Sequence, residues 1–167
     1  MNVSDADPVL IVAPMMLSWI TTFFTGKIEE RHEYIRAWFQ PPGWVFFVVW
    51  TALYIMFGFL LYQSKREEDY TTMGLVIGVL FLTYLWQYLF SYLKNYKLAL
   101  YDLLALLIIG WILYVRLNYS PVVDNTTFGE GYIMIYVPFL AWIIFALLLS
   151  INTKYYKSPE KKRKMKS

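Results

Sequence analysis

The stretch "FQPPGWVFFVVWTALYIMFG", residues 39–58, sets two adjacent prolines in front of an apolar run studded with aromatic rings. From Trp44 to Tyr62 no side chain is charged. At ~1.5 Å rise per residue, a helix of that length crosses a hydrocarbon core of roughly 30 Å. Pro42 suits the first turn of such a helix, where its missing N–H would have no partner in any case, and Pro41 stiffens the approach. The pair sets the angle at which the helix enters the membrane.

Working outward, residues 8–26, 70–93 and 131–153 are equally free of charge, and residues 98–115 hold a single acid, Asp102. Of the 167 residues, 59% are hydrophobic and 20% aromatic, and the mean hydropathy is +0.44. A soluble domain of this size is nearer half apolar. The runs are long and do not alternate, and an open sheet edge in lipid would leave backbone groups unpaired. The expected fold is an all-α integral membrane bundle of five transmembrane helices. It forms one domain over residues 1–153, followed by a basic tail at 154–167. The first run is read as a retained helix because Asp5 and Asp7, rather than basic residues, precede it.

Five spans put the termini on opposite faces. One face then collects Lys27, Arg31, Arg36, Lys94, Lys97 and the tail lysines and arginine, 12 of the 15 basic residues. The positive-inside rule places that face, with the C-terminus, in the cytosol. The tail "KSPEKKRKMKS" directly follows a span, so it reads as an orientation determinant and a contact for anionic lipid, not as a nucleic-acid patch. The expected partner is the bilayer itself. The Asn-x-Ser/Thr triplets at Asn2, Asn118 and Asn125 fall on the opposite face, where they are compatible with a secretory-pathway membrane.

Catalytic constellations are scarce. The chain has no cysteine and one histidine, His32, among the charges of the connector between the first two spans, so no two-histidine metal motif can be built. No glycine-rich phosphate loop appears, and no serine has an evident histidine partner. No metal or cofactor is implied. The absence of an internal repeat disfavours an inverted-repeat transporter.

What remains is a pattern of rings and weakly polar groups. Trp50, Tyr54 and Gly58 share one helix face; Thr83, Gln87 and Phe90 share another, with Trp86 beside them; Pro138, Trp142, Phe145, Ala146 and Leu149 form a third stripe. Trp44, Tyr62, Tyr70 and Tyr155 sit near helix ends, as interface-belt residues do. Trp50, Trp86 and Trp142 lie deeper, where an indole N–H needs a partner, and serve either core packing or a ligand pocket. Asp102 is a functional candidate by its position within a span, but its nearness to Lys94 and Lys97 points to a structural pairing or a cap. Gly74 and Gly78 have the small-xxx-small spacing of a helix-pairing face, here of a homodimer. Leu149, Tyr155 and Lys157 fit the loose sterol-contact pattern at the cytosolic end of the last helix.

These residues resemble the translocator protein family, also called tryptophan-rich sensory proteins (TspO/MBR) or peripheral benzodiazepine receptors. Pro41, Pro42, Trp44, Val45, Trp50, Leu53, Tyr54 and Gly58 match its pattern W-x-P-P-x-W-V followed by W-x-x-L-Y-x-x-x-G. "ALYDLL" from Ala99 and "VPFLAWIIFA" from Val137 resemble its fourth and fifth helices, and Ala13-Pro14 its first. Phe39 replaces a tryptophan, Thr83 an asparagine, Phe139 a tyrosine and Ser150 an asparagine, so polar groups are lost.

The resemblance implies a pocket between the helices that binds porphyrins, benzodiazepine-type drugs and cholesterol, in a mitochondrial outer or other organelle membrane if the source is eukaryotic. The candidate ligand-binding residues are Trp50, Tyr54, Thr83, Trp86, Gln87, Trp142, Phe145 and Ala146. The expected function is a dimeric membrane receptor or binding protein for flat hydrophobic ligands, porphyrin or sterol, with a role in their transport as an extension. Two alternatives are carried: a light-dependent porphyrin-degrading enzyme using Trp50 and Trp142, and a structural membrane protein that has lost the pocket.

Overall fold

The computed structural model describes residues 7–25, 39–119 and 129–155, with side chains described over 9–24, 39–119 and 136–151. These residues form five helices and, among them, no strand. The helices are α1 (Asp7–Thr25), α2 (Gly43–Arg66), α3 (Tyr70–Gln87, prolonged by a π-helical turn at Tyr88–Tyr92), α4 (Tyr96–Leu117) and α5 (Gly129–Tyr155). Three of them, Gly43–Arg66, Tyr70–Tyr92 and Tyr96–Leu117, are long and apolar enough to cross a membrane. The apolar portions described for α1 and α5, Val9–Phe24 and Tyr136–Ile151, are shorter. The expected all-helical bundle is what the chain forms.

The helix ends follow from local chemistry. Pro42 stands one position ahead of α2, at φ −58° and ψ 151°, and its carbonyl accepts from Val45 N at 3.0 Å. At the far end α2 runs through Lys65 and Arg66, beyond the charge-free run, because long basic side chains reach out from a helix end to the polar layer. The turn into α3 is closed by Asp69. Its carboxylate accepts from Thr72 N at 3.1 Å and from Thr72 Oγ1 at 2.6 Å, which caps α3, and from Arg116 Nη2 at 3.0 Å, which ties that cap to the end of α4. The turn into α4 passes through Lys94, a non-glycine residue at φ 52°, and ends on Asn95, whose side chain accepts from Leu98 N at 3.1 Å.

The broadest contacts are between α1 and α2, α3 and α4, and α4 and α5; α2 packs on α3 less extensively, and narrow seams join α1 to α3 and α2 to α5. The core is apolar: Phe57 and Leu60 from α2, Val76 and Val79 from α3, Leu103, Leu106 and Leu113 from α4, Tyr136, Phe139 and Ile143 from α5. Large apolar side chains also cover the outside, including Phe23, Phe81, Ile108, Trp111 and Leu148. In water such a surface would aggregate; in lipid it is the solvated face, and cohesion falls to close packing and hydrogen bonds between helices.

Two glycines make close packing possible. A Cβ on Gly58 would overlap the backbone of Ile11 in α1, so the backbones of α1 and α2 meet there. Gly110 lets α5 approach α4: Leu140 and Phe139 side chains lie 3.2 Å from where a Cβ would stand, and the Tyr136 hydroxyl donates to Gly110 O at 3.0 Å. Gly74 and Gly78 behave differently, with nothing within 4 Å of either position.

Candidate functional site

Trp50 and Tyr54, the rings of the stripe expected from the sequence, stand one turn apart on α2, and Phe46 lies one turn before them. Trp50 stacks on Tyr54 at 5.7 Å between centroids and lies 6.3 Å from Trp86 of α3; Tyr54 stacks on Tyr84 of α3 at 5.5 Å. Trp86 stacks in turn on Phe90 at 5.2 Å, and Phe90 meets Tyr96 of α4 edge-on at 5.3 Å. One turn earlier on α2, Phe46 meets Trp142 of α5 edge-on at 5.3 Å. Trp142 packs on Phe145 at 5.4 Å, and Phe145 meets Phe39 at 6.2 Å. Rings from α2, α3, α4 and α5 thus gather where α2 begins and α3 ends.

Two polar atoms of this ring system stand out. The indole N–H groups of Trp86 and Trp142 are buried and have no hydrogen-bond partner. A buried donor without an acceptor costs on the order of 1–3 kcal/mol. The two donors, in ring groups that both reach α2, are a standing demand for acceptors that the described residues do not supply.

The other candidates fall into place around them. Ala146 is buried beside the α5 rings. Thr83 is buried too, but its hydroxyl donates to Val79 O at 2.8 Å on its own helix. Gln87 ties α3 to α1: its amide donates to Thr22 Oγ1 at 2.7 Å, and its carbonyl accepts from Thr21 Oγ1 at 3.1 Å. Tyr84 adds a third tie, its hydroxyl donating to Pro14 O at 2.7 Å. Phe139 is fully buried against Phe57 at 5.0 Å and Tyr136 at 5.3 Å, an apolar niche where a ring needs no hydroxyl. Of the sterol-pattern residues, Leu149 is buried within the bundle, whereas the side chain of Tyr155 and all of Lys157 lie outside the described residues, as does His32.

Asp102 departs from expectation. It is buried on the packed face of α4, its Oδ2 has no partner, and α4 is capped by Asn95 instead. Lys97 lies over the ring of Tyr101, 6.0 Å from its centroid. Because α4 starts at Tyr96, Asp102 sits deeper than the charge-free run implies, and neither a cap nor a lysine pairing forms.

Phe46 and Tyr84 were not singled out by the sequence pattern. The first lies four residues before Trp50 and could have been found by extending the stripe; the second neighbours Thr83 and has no distinguishing signal.

Residues 10–156 match the TspO/MBR family. The chain is similar to the "Tryptophan-rich protein TspO" of Archaeoglobus fulgidus, 27% identical over 145 residues that cover 84% of this chain and 89% of the relative. The match takes in α2, α3, α4 and α5 whole, together with most of α1, and the apolar exterior is that of an integral membrane protein; the chain therefore belongs to the TspO/MBR family.

Proposed function

We propose that the ring cluster receives a flat, hydrophobic guest bearing hydrogen-bond acceptors, and that the protein is a membrane receptor or binding protein for porphyrins, with sterols and benzodiazepine-type drugs as further guests. The observation that carries this reading is the pair of unpartnered buried donors, Trp86 Nε1 and Trp142 Nε1, set among stacked rings. A porphyrin supplies both halves of what is missing: ring faces for stacking and carboxylate oxygens for the indoles. Family membership supports a membrane sensory or binding role in general. In this reading all five helices cross the bilayer, and the clustered basic residues keep the C-terminus in the cytosol.

The test is a dark titration of detergent-solubilised protein with protoporphyrin IX, read by tryptophan quenching and by the shift of the porphyrin absorbance. Saturable binding is expected. The Trp86→Phe/Trp142→Phe double variant keeps the rings and deletes both donors, and its affinity should fall by about tenfold to a hundredfold. Wild type that never saturates would leave a bundle without this ligand role.

Gly74, Gly78 and the exposed Ile77 and Phe81 give α3 an outward face on which a second copy can pack closely. Gly78→Leu is expected to shift the detergent-solubilised protein from dimer to monomer in light scattering coupled to gel filtration. A wild-type monomer, or a Gly78→Leu dimer, would rule this face out.

A further inference from the structure

Asp102 is 7% exposed, lies on the packed face of α4 with Ala99, Leu103 and Leu106, and leaves Oδ2 without a partner. An orphaned carboxyl oxygen within a membrane span is expensive unless something else meets it. Its position says what that is. Around the turn that joins α3 to α4, Trp86 stands eight residues before Lys94 and Asp102 eight residues after it. Counted from the helix ends, Trp86 lies six residues before Tyr92 and Asp102 six residues after Tyr96, so in two packed antiparallel helices both stand about 9 Å from the turn, at one level.

The register of α4 and α5 gives the second bearing. Gly110 faces Tyr136, Phe139 and Leu140, so Asp102, eight residues earlier on α4, is level with the neighbourhood of Ala146 on α5, about one turn beyond Trp142. An unsatisfied acceptor on α4 thus shares a level with an unsatisfied donor on α3 and lies about one turn from another on α5. The donors do not use it: Trp86 Nε1 and Trp142 Nε1 both remain without a partner.

We propose that Asp102 is a ligand-binding residue of the same site and selects, among flat guests, those that carry a cationic or N–H-bearing nitrogen. This rests on the aromatic site argued above and specifies its guest, which needs an aromatic plane, acceptors toward the indoles and a nitrogen donor toward α4. The faces of one planar heterocycle stack while its opposite edges carry the acceptors and the nitrogen donor, so it meets all three demands, whereas a pure hydrocarbon meets only the first.

Acridine and 9-aminoacridine, which share one ring plane, test this on the full chain in neutral detergent by equilibrium dialysis at mildly alkaline pH, where only the second is cationic. Wild type should bind both, the aminoacridine about tenfold more tightly. Asp102→Asn should erase the preference by weakening aminoacridine binding, and Asp102→Glu should keep it. Equal binding of the two probes by wild type, or a preference that survives in Asp102→Asn, overturns the assignment while the aromatic site stands. If wild type binds neither, the aromatic site and this assignment fall together. Should Asp102→Asn not fold, the wild-type ratio and Asp102→Glu still decide: equal binding in the first or a lost preference in the second overturns it.

Discussion

Gly58→Ala is expected to lower the melting temperature of the detergent-solubilised protein by about 6–12 °C, which corresponds to a loss of about 3 kcal/mol. The added methyl would stand inside the backbone of Ile11, overlapping its carbonyl. Side chains can rotate away from an intruder; a helix backbone cannot, so α1 would have to move as a body. That costs the close contact along the whole α1–α2 seam, in a solvent where packing does most of what the hydrophobic effect does in water. Gly74→Ala is the control, since nothing of the bundle lies within 4 Å of its new methyl and alanine is still a small residue on a helix-pairing face. It should melt with wild type or slightly above, alanine being the better helix former. A Gly58→Ala protein that melts with wild type would mean that the two helices do not touch there.

Asp69→Ala should cost nearly as much, about 2–4 kcal/mol. The side chain of Asp69 is 3% exposed and holds three donors: the N–H and hydroxyl of Thr72 and the guanidinium of Arg116. Removing it uncaps α3 and leaves Arg116, whose Nε already has no partner, with an unanswered charge at the end of α4. Arg116 is 33% exposed, so water takes up part of that charge and the cost stays below that of a fully buried pair. Asp69→Asn keeps a capping oxygen and loses the charge, so it should melt between Asp69→Ala and wild type. Equal melting of all three would show that neither the cap nor the ion pair contributes.

The contrast between Asp69 and Asp102 shows how far the sequence could be read. Helix number and order were legible because charge-free runs mark lipid exposure, a property of each segment by itself. The stripe from Trp50 to Tyr54 was legible for the same reason, since helical spacing is local. The partner of a carboxyl group is not local. Asp69 meets Arg116 across 47 residues, through the packing of α3 on α4, and nothing in either segment announces the other. Asp102 has two lysines close by in the chain and pairs with neither, because Asn95 starts α4 early and carries the acid deeper along the helix. The duties of Thr83 and Gln87 were hidden likewise: one hydroxyl is spent on its own helix and one amide on α1. The π-helical turn at Tyr88–Tyr92 has no signature in residue type at all.

The ties of α1 have a consequence for how the protein is made. Its backbone contact with α2 can form as soon as Gly58 has left the ribosome and entered the bilayer. Its hydrogen bonds to Tyr84 and Gln87 reach across 70 and 65 residues and must wait until α3 has been synthesised. During that interval α1 and α2 are free to pair, with the groups that later meet α3, Pro14 O, Thr21 and Thr22, on the joined helices. Translation thus sets the order in which these contacts can form: an early helix pair offers a polar template, the arrival of α3 completes it and brings Trp86 to Trp50, and the rings of α4 and α5 can join the cluster only afterwards.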